Sequence, residues 1–250
     1  MSTNTPETSR YTALIIKLLW LTPILIMGVL IVACNKISPG SFSGNINEGI
    51  IEYKVSFPEM GEESLTATLM PEIMIYAFKE NAFASYFEAA GGVFKNRIIA
   101  DRNLKTVEHQ LKVFRKKVKV MMDETEVLQM LAEYPKMQVI ETEVIDTIAG
   151  YPCQKAIIVF EDVEKSQIDV YYTKAIDMEK PNWCTQYHEI DGVLMAYEIV
   201  EFGIRMRLEA ISVRPEKVMP DLLNPKEDFT PISKESMDVE LSQLVETFEL

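Results

Sequence analysis

The short stretch Cys184-Thr-Gln-Tyr-His188-Glu189-Ile-Asp191 brings together a thiol, an imidazole and two carboxylates. These are the donor types of a zinc site. The chain holds only two histidines, however, and the other, His109, lies in a differently patterned segment. Zinc would also compete with any disulfide for Cys184, so a loop of ordinary polar residues is the expectation, with no metal and no cofactor. No G-x-S-x-G elbow, glycine-rich phosphate loop or H-E-x-x-H occurs. Two histidines leave little for general acid–base work near neutral pH, so no enzyme is expected.

A second cysteine carries a different chemistry. Arg10 and Lys17 precede an uncharged run, Leu18–Ala33, that ends in Ile31-Val32-Ala33-Cys34. The run is long for a signal-peptide core and short for a membrane span. Its end resembles a bacterial lipobox, which implies cleavage before Cys34, a thioether lipid on its sulfur and acylation of the new amine. Several acyl chains anchor a protein stably where one does not. The competing reading is an uncleaved N-terminal anchor with a chance cysteine at its outer end. Residues 1–33 are thus expected to be a lipoprotein signal peptide. Residues 34–47, rich in Ser, Gly and Asn, are expected to be a flexible tether. Asn35-Lys36 is not the aspartate signal of inner-membrane retention and no acidic run follows, which favours the outer membrane, facing the periplasm.

With Cys34 lipidated, Cys153 and Cys184 remain, an even number in an oxidising compartment, and they are expected to pair. On the chain-entropy model the loop closed would contribute roughly 3–4 kcal/mol. Two buried unpaired thiols are the alternative.

The elements that must position these groups read mainly as strands. Ile51, Tyr53, Val55 and Phe57 alternate with polar residues, and so do Val118 and Val120, and Ile204, Met206, Leu208 and Ala210. About ten successive antiparallel strands are expected. The period changes in Asp123–Pro135, where Val127, Leu128, Leu131 and Tyr134 share a helical face, Asp123 caps and Pro135 stops. A second helix is expected over 236–250, with a stripe of Met237, Leu241, Leu244, Val245 and Phe248. The fold class is mainly β (α+β): a strongly curved antiparallel sheet or half-barrel covered by two helices, in a single domain over 48–250. The net charge of −13 argues against a nucleic-acid partner. Residues 115–119, Arg-Lys-Lys-Val-Lys, form a basic patch that fits anionic headgroups or a solvated hairpin tip, the latter preferred.

Glu141–Phe160, with its "T-I-A-G-Y-P-C-Q-K-A" core, resembles a segment of exported Bacteroidetes lipoproteins of the DUF4412 or GLPGLI type. "IDGVLMAYEI" is similar to their "GxPLEYE" strand, although Val193 and Ala196 replace the usual proline and glutamate. The resemblance covers roughly 48–235. It implies a LolA- or LolB-like half-barrel with an apolar cavity, and says little of activity. Of 14 methionines, several fall at inward phases, and Met74, Met195, Tyr197 and Met206 are the expected cavity lining. The leading expectation is therefore a membrane-anchored periplasmic lipoprotein that binds a hydrophobic ligand or envelope lipid. The alternative is a scaffolding lipoprotein whose interior its own side chains fill, and an envelope hydrolase ranks last. Protein partners are not indicated.

Overall fold

Strand formation follows the two-residue period of the sequence, and the strands join into one sheet of twelve rather than about ten. The computed structural model describes residues 45–60, 70–161, 167–201, 203–225 and 228–248, with side chains omitted at 201 and 245–248. The leader, Cys34 and the tether as far as residue 44 lie outside the described residues. The strands are β1 (Glu48–Ser56), β2 (Ile73–Lys79), β3 (Ala82–Ala89), β4 (Phe94–Asp101), β5 (Thr106–Val113), β6 (Lys116–Met122), β7 (Met137–Ile148), β8 (Tyr151–Phe160), β9 (Gln167–Thr173), β10 (Val193–Glu201), β11 (Ile204–Arg214) and β12 (Thr230–Pro231). The helices are α1 (Glu124–Glu133), α2 (Pro220–Leu223) and α3 (Lys234–Phe248). Among the described residues no helix is long and apolar enough to cross a membrane.

The sheet is not one continuous meander. Its order is β12-β6-β5-β4-β3-β2-β1-β11-β10-β9-β8-β7. β1 to β6 run outward as hairpins, α1 then leads to β7 at the opposite edge, and β7 to β11 run back until β11 pairs with β1. The β1–β11 register, Ile51 opposite Val213 and Val55 opposite Leu208, joins segments about 150 residues apart and has no local signal. β12 is the one parallel strand, set against Val118 and Lys119 of β6.

The sheet curls. β6 and β10 stand seven strand spacings apart, roughly 34 Å if flat, yet Val120 of β6 and Tyr197 of β10 line one cavity. The concave set includes Tyr53, Met74, Phe83, Phe94, Val107 and Val120, and both long helices pack on it through Val127 and Met237. The convex face is crossed by the segment after β11. Val218 N–H donates to the outward Glu48 Oε1 at 2.9 Å, and Phe229 lies under the outward Lys117 ammonium at 5.7 Å. Beneath this strap two outward polar residues are buried, Arg97 beside the Tyr86 ring and Gln110 bonded to Glu108. A second core lies on β8 and β9 with Tyr187 and Ile190 of the 174–192 loop. The buried Asn182 donates to the carbonyls of Ile190 and Gly192, both at 2.9 Å, and ties that loop. Gly192 admits no side chain, since a Cβ there would stand 2.5 Å from Tyr172 Cδ2.

α1 starts as expected. Asp123 Oδ1 accepts from Glu126 N–H at 3.0 Å, and Glu126 returns a bond to Asp123 N–H at 2.9 Å. Its buried face differs from the expected one: Val127 is buried while Leu128 is 60% exposed. α3 begins two residues earlier than expected and buries Met237. The side chains of Val245 and Phe248 lie outside the described residues. Asp123→Ala should lower stability by about 1 kcal/mol, a fall of roughly 2–4 °C in Tm. Leu128→Ser should leave Tm unchanged, and thermal unfolding followed by circular dichroism compares the two.

Candidate functional site

The concave face and its two helices leave a space between them. β1 to β6, β10 and β11 turn alternate side chains inward, and the β2–β3 and β3–β4 pairings stack rings on adjacent strands. Tyr76 stacks on Phe83 at 4.8 Å, and Phe87 meets Phe94 at 5.8 Å. Tyr53 stands edge-on to Tyr76 at 6.4 Å and to Tyr197 at 6.0 Å, and Tyr197 meets Tyr187 at 5.9 Å. Such edge-to-face sets have few rotamer choices and form a stiff floor. The Tyr53 hydroxyl donates to the Leu194 carbonyl at 2.6 Å. Burial raises the Tyr53, Tyr76 and Tyr197 phenols well above their ordinary range, so all three stay neutral.

The cavity, partly open to its surroundings, has a volume of about 470 Å³. Met70, Met74, Met122, Met130, Met206 and Met237 contribute flexible thioethers to the wall, Met130 from α1 and Met237 from α3. Leu241 and Leu244 continue the α3 side. Lys234 Nζ joins the helices at one side of the cavity, 3.2 Å from Glu133 of α1 and 3.0 Å from Asp238 of α3. Partly exposed pairs of this kind hold an arrangement at a gain of about 0–1 kcal/mol each.

On the sheet strands three polar side chains interrupt the greasy wall, Ser85, Asn96 and His109, while Asn182, Thr185 and Gln186 of the 174–192 loop and Glu133, Lys234 and Asp238 of the helices add polar groups elsewhere on the lining. His109 Nε2 lies 2.5 Å from Asn96 Oδ1. Burial pulls His109 down to about 4, against a weaker upward pull from Asp238. The ring is therefore neutral at pH 7. Sequence reading passed over this pair, although His109 shares the inward phase of Val107 and Leu111.

Of the expected lining residues, Met74, Tyr197 and Met206 line the cavity. Met195 does not: it is fully buried among core side chains. Its inward phase is the expected one, shared with Val193 and Tyr197, but phase does not set depth, and Met195 packs within the concave core rather than on the cavity wall. The expected Cys153–Cys184 disulfide is likewise corrected. Both are free and buried, each packed as a small apolar side chain. Cys153 Sγ lies 3.3 Å from the Tyr151 carbonyl, and burial pushes Cys153 up to about 11 and Cys184 up to about 12, so neither is a thiolate at neutral pH. His188, Glu189 and Asp191 are exposed while Cys184 is buried, and among the described residues no group of three metal-ligating side chains gathers. The basic patch stays on the surface, where Lys116 pairs with Glu240 of α3 and Lys119 sits 3.3 Å from Glu108.

No protein-family profile and no curated protein matches the chain. Among solved structures, the chain is similar to MucB, crystallised in complex with MucA(peri), at 8% identity and a TM-score of 0.32. That match covers 75% of this chain and 57% of the other, so the chain spans little more than half of that structure's length. A beta-barrel-like protein of the domain of unknown function DUF1849 from Brucella abortus aligns at 9% identity and a TM-score of 0.30, over 70% of this chain and all of the other.

Because His109 is neutral when folded but titrates near 6.5 when unfolded, acidification protonates only the unfolded chain between pH 6.5 and about 4. Its contribution to stability is complete above pH 6.5 and is lost progressively down to about pH 4. His109→Gln should remove that slope, a wild-type-minus-variant difference of roughly 2–3 kcal/mol across the window. Urea unfolding at several pH values measures it.

Proposed function

We propose that this protein is a membrane-tethered binding module of the bacterial cell envelope, holding a hydrophobic ligand between its concave sheet and two covering helices. The observation that carries the proposal is the apolar cavity of about 470 Å³. Protein interiors close-pack, and a void beyond a few water volumes is rare. A scaffold filled by its own side chains has no need of such a space, and one lined by aromatic rings and methionines does not favour water. Burying a dozen methylenes gives roughly 10 kcal/mol gross at ~0.8 kcal/mol each. Ordering and association consume several kcal/mol of that.

The tether belongs to the same proposal. Ile31-Val32-Ala33-Cys34 supplies the lipobox-like site, and Cys34 would carry the acyl chains that hold the body to the bilayer. The placement proposed is the outer membrane, facing the periplasm, with no catalytic step and no nucleic acid. The ligand is a lipid or another hydrophobic small molecule of the envelope.

Two measurements test these halves separately. Residues 34–250 made without the leader and with Cys34→Ser, purified without detergent, should carry a lipid-sized adduct in native mass spectrometry, released by solvent extraction. A clean protein mass, with no uptake of a fluorescent fatty acid, would reject the binding role. For the anchor, metabolic labelling with an alkynyl fatty acid should mark the wild type and be lost in Cys34→Ser. Retention of the whole leader on an unmodified Cys34 would reject the lipoprotein.

A further inference from the structure

His109 and Asn96 are the one directly bonded polar pair on the sheet side of the cavity, and Ser85 is close to them in register. Ser85 and His109 flank Ile98 on either side, and Asn96 lies one inward position along β4. Asn96 Oδ1 is an acceptor, so the 2.5 Å contact requires the proton on His109 Nε2. A neutral ring then has Nδ1 as an acceptor, and Asn96 keeps its amide N–H donors. The Nε2 contact is the ring's single hydrogen bond among the described residues. A donor and an acceptor are therefore presented side by side, inside an otherwise greasy wall. Left without partners in a filled cavity, such groups cost free energy, so the ligand that fits must supply both.

The volume limits the other end. At ~30 Å³ per methylene, about a water molecule's share of liquid volume, 470 Å³ takes roughly fifteen carbons of one chain. Resting on the hydrophobic-ligand reading above, we propose that the ligand is a single-chain amphiphile of about that length, with an uncharged head that both donates and accepts hydrogen bonds at His109 and Asn96. A fatty alcohol, an undissociated fatty acid or a monoacylglycerol has this chemistry. A quaternary ammonium head has no donor or acceptor to offer. The charged groups bordering the cavity, Glu133 of α1 with Lys234 and Asp238 of α3, are committed to each other.

The test uses the leaderless 34–250 protein with Cys34→Ser and titration calorimetry, with ligands delivered from cyclodextrin. 1-Tetradecanol should bind at least tenfold more tightly than its methyl ether, which accepts but cannot donate. It should also exceed tetradecyltrimethylammonium by at least as much. In His109→Leu the alcohol-to-ether ratio should fall to about one while ether binding persists, whereas Asn96→Leu, which removes the donor that both head groups accept from, should weaken alcohol and ether alike. Dimyristoylglycerol, with two chains, should compete at least tenfold more weakly than the alcohol. Equal binding of alcohol and ether by the wild type would overturn the head assignment and leave the hydrophobic-ligand reading standing, as would an unchanged ratio in His109→Leu. Equal competition by the two-chain lipid would overturn the single-chain assignment. Failure of every amphiphile to bind would overturn both.

Discussion

A sheet that curls without closing has a concave apolar face that only something laid across it can hide. In this protein β12 and β7 remain separate edges, so the strands cannot complete a barrel. The cover is α1 and α3, each one helix wide. Their inward residues, Val127 and Met130 on one and Met237, Leu241 and Leu244 on the other, reach the sheet without filling the space between. The void is a consequence of curvature against two narrow lids. Ion pairing at Lys234 and the capping box at Asp123 fix where those lids sit.

The two faces of the same strands solve opposite problems. On the convex side the strap, described over 215–225 and 228–231, crosses strands whose outward residues are polar, and Arg97 Nε and Gln110 Oε1 are buried there without partners. Those two atoms oppose close burial, and the strap's contacts to Glu48, Lys117 and the edge of β6 are what offset them. On the concave side, apolar residues dominate and the polar exceptions are few. The Tyr53 hydroxyl is satisfied internally by Leu194, whereas Ser85, Asn96 and His109 face the empty volume.

Much of this was legible in the residues. Alternation in 51–57 and 204–210 marked the strands, because each has one buried face and one wet face. Asp123-x-x-Glu126 marked the start of α1, because the cap is a local hydrogen-bond pattern. What alternation cannot show is partnership between distant segments. Pairing of β1 with β11 and the jump from β6 to β7 depend on the whole chain's packing. The strap and the two-residue β12 carry no period at all. Met195 keeps its inward phase but lies deeper than the cavity wall, which alternation cannot show, and Leu128 stays exposed because a helix beside a cavity rather than a flat core buries a narrower stripe. Counting cysteines suggested a bridge, whereas Cys153 and Cys184 are free thiols wrapped in apolar surface.

The methionines offer the most direct measurement of the central claim, that the space between sheet and helices receives an apolar guest. In protein labelled with ¹³C at the methionine methyl groups, Met74, Met130, Met206 and Met237 line the cavity, while Met195 is sealed in the core and Met121 and Met219 are exposed. Titration with a C14 alcohol should shift the first four resonances together, with cross-relaxation to ligand protons, and leave Met195, Met121 and Met219 in place. Shifts confined to the exposed methyls, or none at any concentration that stays soluble, would contradict the account.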